Sequence, residues 1–198
     1  MATFSKQIVA SGDDGQYSFQ TGTDFDASGS YVLCLSNQGS DFTVASFYRF
    51  TNVTIPAGST ITAATIEVDA YSEFAPDANF RIHMNDVDDA VAPTNVTEGK
   101  ALVATTASTA WVEDGVAISV ATSPDFTAAV QEVVDRGGWA SGQDMMVMFL
   151  PNTDNTRQFR VRSYDNAGTI PEITITYTAP SSSNITAIMH HRRLIGVS

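Results

Sequence analysis

"FYRFTNVTIPAGSTITAATIEVDA", Phe47–Ala70, spells a strand, a turn and a second strand. β-Branched and aromatic residues fill both arms, where a pleated, half-buried surface suits them. Ile55-Pro56-Ala57-Gly58 between the arms is turn chemistry, a proline with φ preset followed by a conformationally free glycine. In the second arm Ile61, Ala63, Thr65, Glu67 and Asp69 share one face and Thr62, Ala64, Ile66, Val68 and Ala70 the other. Successive side chains of a strand point to opposite faces, so Ile66, Val68 and Ala70 are expected to enter a core.

The same grammar recurs outward in both directions. "KQIVA", "GSYVLCLS", "NFRIHM", "TAWVE", "GVAISVA", "DMMVMFL", "RQFRVRSY" and "PEITITYT" read as strands, punctuated by turns such as "SGDDGQ", "FAPDAN", "LPNTDNT" and "DNAGTIP". In "FRVRSY" the alternation sets Phe159, Val161 and Ser163 against Arg160, Arg162 and Tyr164, and the two arginines are expected to meet carboxylates of a neighbouring strand. About ten short strands at this spacing predict an all-β fold, an antiparallel two-sheet β-sandwich of the jelly-roll kind. One short α-helix is predicted near residues 124–136. There Ser123 can cap, Pro124 suits the first turn and Asp125 complements the dipole. Phe126, Ala129, Val130 and Val133 form one buried stripe, Gly137 or Gly138 supplies a left-handed stop, and Trp139 packs beneath. The domain is expected to span residues 1–178, with "APSSS" (179–183) a linker and 184–198 a tail.

Composition narrows the function. A chain of 198 residues with 43% hydrophobic content buries an ample core, and no run approaches a membrane span. All 22 acidic residues precede position 179 with eight basic ones, a body charge of −14, which argues against nucleic-acid partners. The start, "MATFSKQIVASGDDG", has no apolar signal core, so synthesis in a cytoplasm without a cleaved export signal is expected. The sequons at Asn52, Asn95 and Asn184 are read as chance in a Thr-rich chain, and the single Cys34 as a small buried hydrophobe.

Catalytic chemistry is not written in the chain. "GGWASG" places Ser141 in a turn and lacks the spacing of a nucleophile elbow. His83 reads as a surface or locally hydrogen-bonded residue, and adjacent His190 and His191 fit opposite faces of a strand better than one metal. No cofactor is expected. Structural Ca²⁺ on Asp13 and Asp14, or on Asp86, Asp88 and Asp89, is the one metal chemistry left open, with solvated turn residues the favoured reading. Tyr17, Tyr31, Tyr48, Tyr71, Tyr164, Trp111 and Trp139 supply a sugar platform only if exposed; packing is the favoured role.

Three stretches together resemble a known family: Phe47–Ala70, "VQEVVDRGGWASGQDMMVMFL" (Val130–Leu150) and "RVRSYDNAGTIPEITITYT" (Arg160–Thr178). Their order and wording resemble jelly-roll modules of the DNRLRE and carbohydrate-binding-module-like type, found in bacterial surface proteins and in structural proteins of tailed bacteriophages. The resemblance covers most of residues 5–178, and "QEVVDRGGWASG" is its most specific piece. It implies the fold and a scaffold or binding role, with no catalytic motif to carry over. A cytoplasmically made acidic module fits a virion component: a capsid decoration or cement protein, or a head, neck or fibre subunit. Its expected partners are other virion proteins, such as a major capsid or neck protein, and further copies of itself, with no nucleic acid and no membrane. A carbohydrate-binding or host-receptor module is the alternative, and a small hydrolase on the same scaffold stands third.

The tail "NITAIMHHRRLIGVS" lies outside the resemblance and carries +2 against the acidic body. Ile185, Ile188 and Met189 suit a short helical stripe, "RRLIGVS" with Leu194 and Ile195 suits a strand added to a partner's sheet edge, and Arg192 and Arg193 are expected to find carboxylates on a neighbour. Docking on a neighbour and folding back on its own domain both stay open.

Overall fold

The computed structural model describes residues 1–35, 43–70, 78–113, 120–152, 158–166 and 168–181. It is an antiparallel two-sheet β-sandwich. The strands are β1 (Ala2–Gln7), β2 (Asp14–Ser18), β3 (Phe25–Asp26), β4 (Tyr31–Leu35), β5 (Val44–Phe50) and β6 (Thr60–Asp69), then β7 (Ala78–Met84), β8 (Thr109–Glu113), β9 (Val120–Thr122), β10 (Met145–Pro151), β11 (Gln158–Arg162) and β12 (Glu172–Thr178). Two helices join them, α1 (Val96–Lys100) and α2 (Thr127–Val134). The small sheet runs β1-β12-β6-β9. The large one runs β11-β4-β5-β10-β7-β8, with β2 also paired along β5 and carrying β3.

The opening stretch is an arch between sheets. β5 lies in the large sheet and β6 in the small one, so the Pro56–Ser59 turn crosses the sandwich. Ser59 N donates to Pro56 O (3.2 Å), and Gly58 takes φ 73° there. Ala64, Ile66, Val68 and Ala70 are buried as the alternation predicts. Ile61, assigned to the outer face by the same alternation, is buried as well. A β-bulge explains it: β12 pairs Thr176 with Ala63 but Tyr177 with Ile61, leaving Thr62 as the extra residue. One added residue reverses the facing of everything beyond it.

The core lies between the sheets. Phe80, Trp111, Phe149 and Phe159 stack and tilt at its centre, with centroids 4.5 Å apart for Phe80–Phe149 and 5.3 Å for Trp111–Phe159. A second apolar cluster of Tyr17, Ala45, Phe47, Ala90, Met146 and Met148 occupies the opposite face of the large sheet. Partly buried Phe19, Phe25, Ala27, Val87 and Leu102 pack against it there. Gly15 lets β2 lie flat, since a Cβ there would sit 2.7 Å from the Phe47 ring. Asn95 caps α1 through Glu98 N (3.0 Å) while Glu98 reaches back to Thr94 N (2.7 Å), a reciprocal cap written in "TNVTE" but passed over in the sequence.

Helix α2 buries Phe126, Ala129, Val130 and Val133 as predicted, but both of its predicted ends are corrected. Ser123 does not cap it. Its Oγ accepts from Ile66 N (3.0 Å), Asp125 Oδ2 from Ala64 N (3.0 Å), and Gln131 Oε1 from Ile61 N (2.7 Å). These side chains replace a neighbouring strand along the edge of β6, and the helix starts only at Thr127, after Ser123 and Asp125. Neither Gly137 nor Gly138 is left-handed; among the described residues the positive-φ glycines are Gly22, Gly58 and Gly142. Gly138 matters for closeness instead, because a Cβ there would collide with the Asp88 carboxylate.

Candidate functional site

The residues assigned to docking from the sequence, Ile185, Ile188, Met189, Arg192, Arg193, Leu194 and Ile195, lie outside the described residues. The last described ones, Ala179, Pro180 and Ser181, are exposed. They leave the body where Tyr177 pairs with Ala2 and Thr178 with Thr60, at the start of β1.

The outer face of the small sheet begins at that exit. Phe4, Ile173, Ile175, Ala64 and Ile66 turn inward, so their neighbours turn out in register. Thr3, Thr176 and Ala63 form one row across β1, β12 and β6, then Ser5, Thr174 and Thr65, then Gln7, Glu172 and Glu67. Ser5 Oγ and Thr174 Oγ1 share a hydrogen bond of 3.0 Å. The first two rows carry no charge, which is sparse decoration for the solvent side of so acidic a protein. β1 pairs with β12 alone, so its other edge is unpaired among the described residues. Open edges are usually blunted by charge, proline or a bulge. β1 offers only Lys6, which lies on the core-facing side with Phe4.

Elsewhere the polar groups hold the fold. Asp13 and Asp14, read as solvated turn residues, are 4% and 1% exposed. "SGDDGQ" is a 3-10 turn at Ser11–Asp13 running straight into β2, a strand missed because it opens on an Asp-Asp-Gly turn signal and buries Asp14, Gly15, Tyr17 and Ser18 without alternation. Arg49 reaches Asp13 Oδ1 (2.6 Å), Asp144 Oδ2 (2.5 Å) and Ala90 O (2.8 Å). Arg136 reaches Asp86 Oδ1 (2.5 Å) and Asp88 Oδ1 (2.6 Å), and Asp89 accepts from Asp144 N (2.8 Å). Asp86 and Asp88 of "NDVDDA" are half-buried partners of a guanidinium and exposed Asp89 holds an amide, so these turn residues keep solvent contact while bracing the fold. No group of three or more metal-ligating side chains is gathered among the described residues.

Arg162 meets Asp69 of β6 (3.1 Å), as the carboxylate expectation required, whereas Arg160 lies 4.8 Å over the Tyr31 ring of adjacent β4. Trp111 and Trp139 are 1% and 3% exposed, and Trp139 Nε1 donates to Ile55 O (3.1 Å). Tyr17 and Tyr48 are buried too, Tyr164 is exposed, and Tyr71 lies outside the described residues. His83 is half-buried with Nδ1 2.9 Å from Thr105 O, and burial lowers its pKa. Cys34 is buried, and desolvation raises its thiol pKa far above the usual range. Ser141 stays exposed in a turn held by Gly142 N on Val53 O (2.9 Å). A shallow cleft of about 380 Å³ lies beside β3, lined by Phe25, Asp26, Ser28, Pro93 and Thr94. Asp26 Oδ1 is already engaged there by Ser28 N (3.0 Å) and Gly29 N (2.9 Å).

No protein-family model matches the chain, and a search of curated proteins returns no match.

Proposed function

We propose that this chain is a non-enzymatic structural subunit of a tailed-bacteriophage particle, a capsid decoration or cement protein or a head, neck or fibre subunit, made in the host cytoplasm. It holds neighbouring virion proteins, and further copies of itself, through protein–protein contacts. The observation that carries this reading is the outer face of the small sheet. Two uncharged rows of threonine, serine and alanine lie beside an unprotected strand edge, at the point where the chain leaves the body. Flat small side chains let another backbone approach closely, and an open edge supplies main-chain donors and acceptors for an added strand. The segment 184–198 serves as a tethered arm. Its cations suit the acidic body of a neighbour, and its apolar residues suit burial on docking.

The glycan-recognition alternative draws no support from the aromatic residues, since both tryptophans are core. Cryo-EM of purified particles from the phage encoding this sequence is the decisive test. Density for this sandwich repeated at stoichiometric positions supports the reading. Particles that lack the chain, by density and by mass spectrometry, would end it.

A further inference from the structure

The start of β2 forms a corner with the turn that follows β11. Asp14 sits in that corner with its side chain buried, accepting a hydrogen bond from Tyr164 N (2.9 Å) in the turn after β11. The same corner carries Ser11 Oγ donating to Asp165 Oδ2 (2.6 Å) and to Ala27 O (3.2 Å). Ser163 Oγ donates to Gly29 O (2.6 Å), and Asn166 Nδ2 to Ser30 O (2.8 Å). Four segments therefore meet there: the 3-10 turn, the start of β2, the 27–30 connection and residues 163–166.

The charges are unbalanced. The ionisable groups facing Asp14 are Asp13 from the 3-10 turn, Asp165 from the turn after β11, and Tyr48, its cross-strand partner on β5. Arg49 is committed to Asp13 and Asp144, and Arg162 reaches Asp69. No cation among the described residues forms an ion pair with Asp14. A buried carboxylate between two others, with only backbone amides (Tyr164 N and its own) as partners, favours its neutral form.

We propose that this corner is a proton-operated latch: a proton on Asp14 locks residues 163–166 against the start of β2, and loss of that proton favours their separation. Separation lets the carboxylate reach water, away from Asp13 and Asp165. Beyond residue 166 the chain runs on to β12, where Pro171 O accepts from Ile8 N (3.2 Å) just past β1, so the latch sits on the connection from the large sheet to the small one.

Burial, then the Asp165 and Asp13 charges, push the Asp14 pKa up to about 7 against the opposing Tyr164 hydrogen bond. In the open corner it returns toward its ordinary value near 4. The closed form therefore binds more protons between about pH 4 and 7, so opening grows by up to about tenfold per pH unit across that window and levels off above it.

Native-state hydrogen exchange of the Tyr164 and Asn166 amides on the full chain, corrected for intrinsic rates, tests this, with Val147 of β10 as an internal reference. Their protection is expected to fall through the window while that of Val147 does not follow. Asp14→Asn should remove the trend, and Asp165→Asn should shift its upper end to lower pH. Direct carbon-13 titration of the Asp14 carboxyl reads the same group without any substitution. A midpoint near 4, or an unchanged trend in Asp14→Asn, overturns the latch.

Discussion

The two sheets solve burial in different ways. In the large sheet β5 and β10 are covered on both faces, and their sequences, "VASFYRF" and "MMVMFLP", run almost without polar relief. In the small sheet β12 reads "EITITYT", apolar inward and polar outward, with Glu172 first and hydroxyls after it. A strand buried on two sides loses the period of two, and one buried on a single side keeps it. The difference bears on the proposed function as well as on the fold. The doubly covered strands β5 and β10 have little bare surface to offer a partner, whereas the small sheet keeps a singly covered, ordered face.

The largest expected loss tests the inner face of the large sheet. Phe149 contacts Tyr48, Phe80 and Trp111 with centroids 4.9, 4.5 and 6.1 Å away. Phe149→Ala should cost ~3–5 kcal/mol in urea unfolding, the range for a large aromatic removed from a close-packed core. Met146, one β10 partner of Arg49, points to the other face and is equally inaccessible. Met146→Ala should cost ~2–5 kcal/mol. A cost below ~0.5 kcal/mol would mean that the outer cluster is cover without cohesion, and the contrast between the sheets would fail.

Next in size is the Arg49 clamp, which ties the 3-10 turn, the 89–90 segment and Asp144 to β5. Removing one partner of a buried ion pair leaves the others unpaired and costs several kcal/mol. The Arg49 side chain keeps 23% exposure, so Arg49→Met should cost less, ~2 kcal/mol. Asp144 Oδ1 also holds Asn52 N (2.7 Å), in the left-handed conformation at φ 55°. Loss of the clamp should therefore appear first as faster amide exchange at Asn52 and Ala90. Uniform loss across the sheets would assign the clamp to global stability alone.

How far the chain discloses its structure follows from the same contrast. The strands with a clear period, β6, β11 and β12, are legible with their facing, save where the Thr62 bulge reverses it. β2 is hidden because its core-side positions, Asp14, Gln16 and Ser18, are polar, and its apolar ones serve the outer cluster. The ends of α2 are illegible for a related reason: Ser123 carries capping chemistry but uses it on the backbone of β6, and Asp125 divides its carboxylate between Ala64 N of β6 and Thr127 N of the helix. Local propensity states what a side chain can bond, and tertiary contact decides which backbone it meets. The hydroxyl face needs both sheet order and register, because Thr3, Thr176 and Ala63 become neighbours only after pairing. Only the individual strand patterns are visible in one dimension.

The smallest expected effect on stability bears most directly on the proposed docking face. Thr174 lies at the centre of the middle row, between Ser5 and Thr65, and its hydroxyl interacts with an exposed partner. Replacing it by lysine removes one solvent-side hydrogen bond and adds a charge near Glu172, two residues away on the same face. Thr174→Lys should therefore shift unfolding by no more than ~0.5 kcal/mol. A partner seated on the face would instead have to bury the new ammonium, so association measured by sedimentation velocity, or on the particle, should weaken by about tenfold or more. Unchanged association would remove the face from the interface and leave the β1 edge and the C-terminal arm to carry it. A melting temperature that fell with the substitution would mean the rows are already packed against this chain itself. The same substitution thus separates a surface kept bare for a neighbour from one that the protein covers alone.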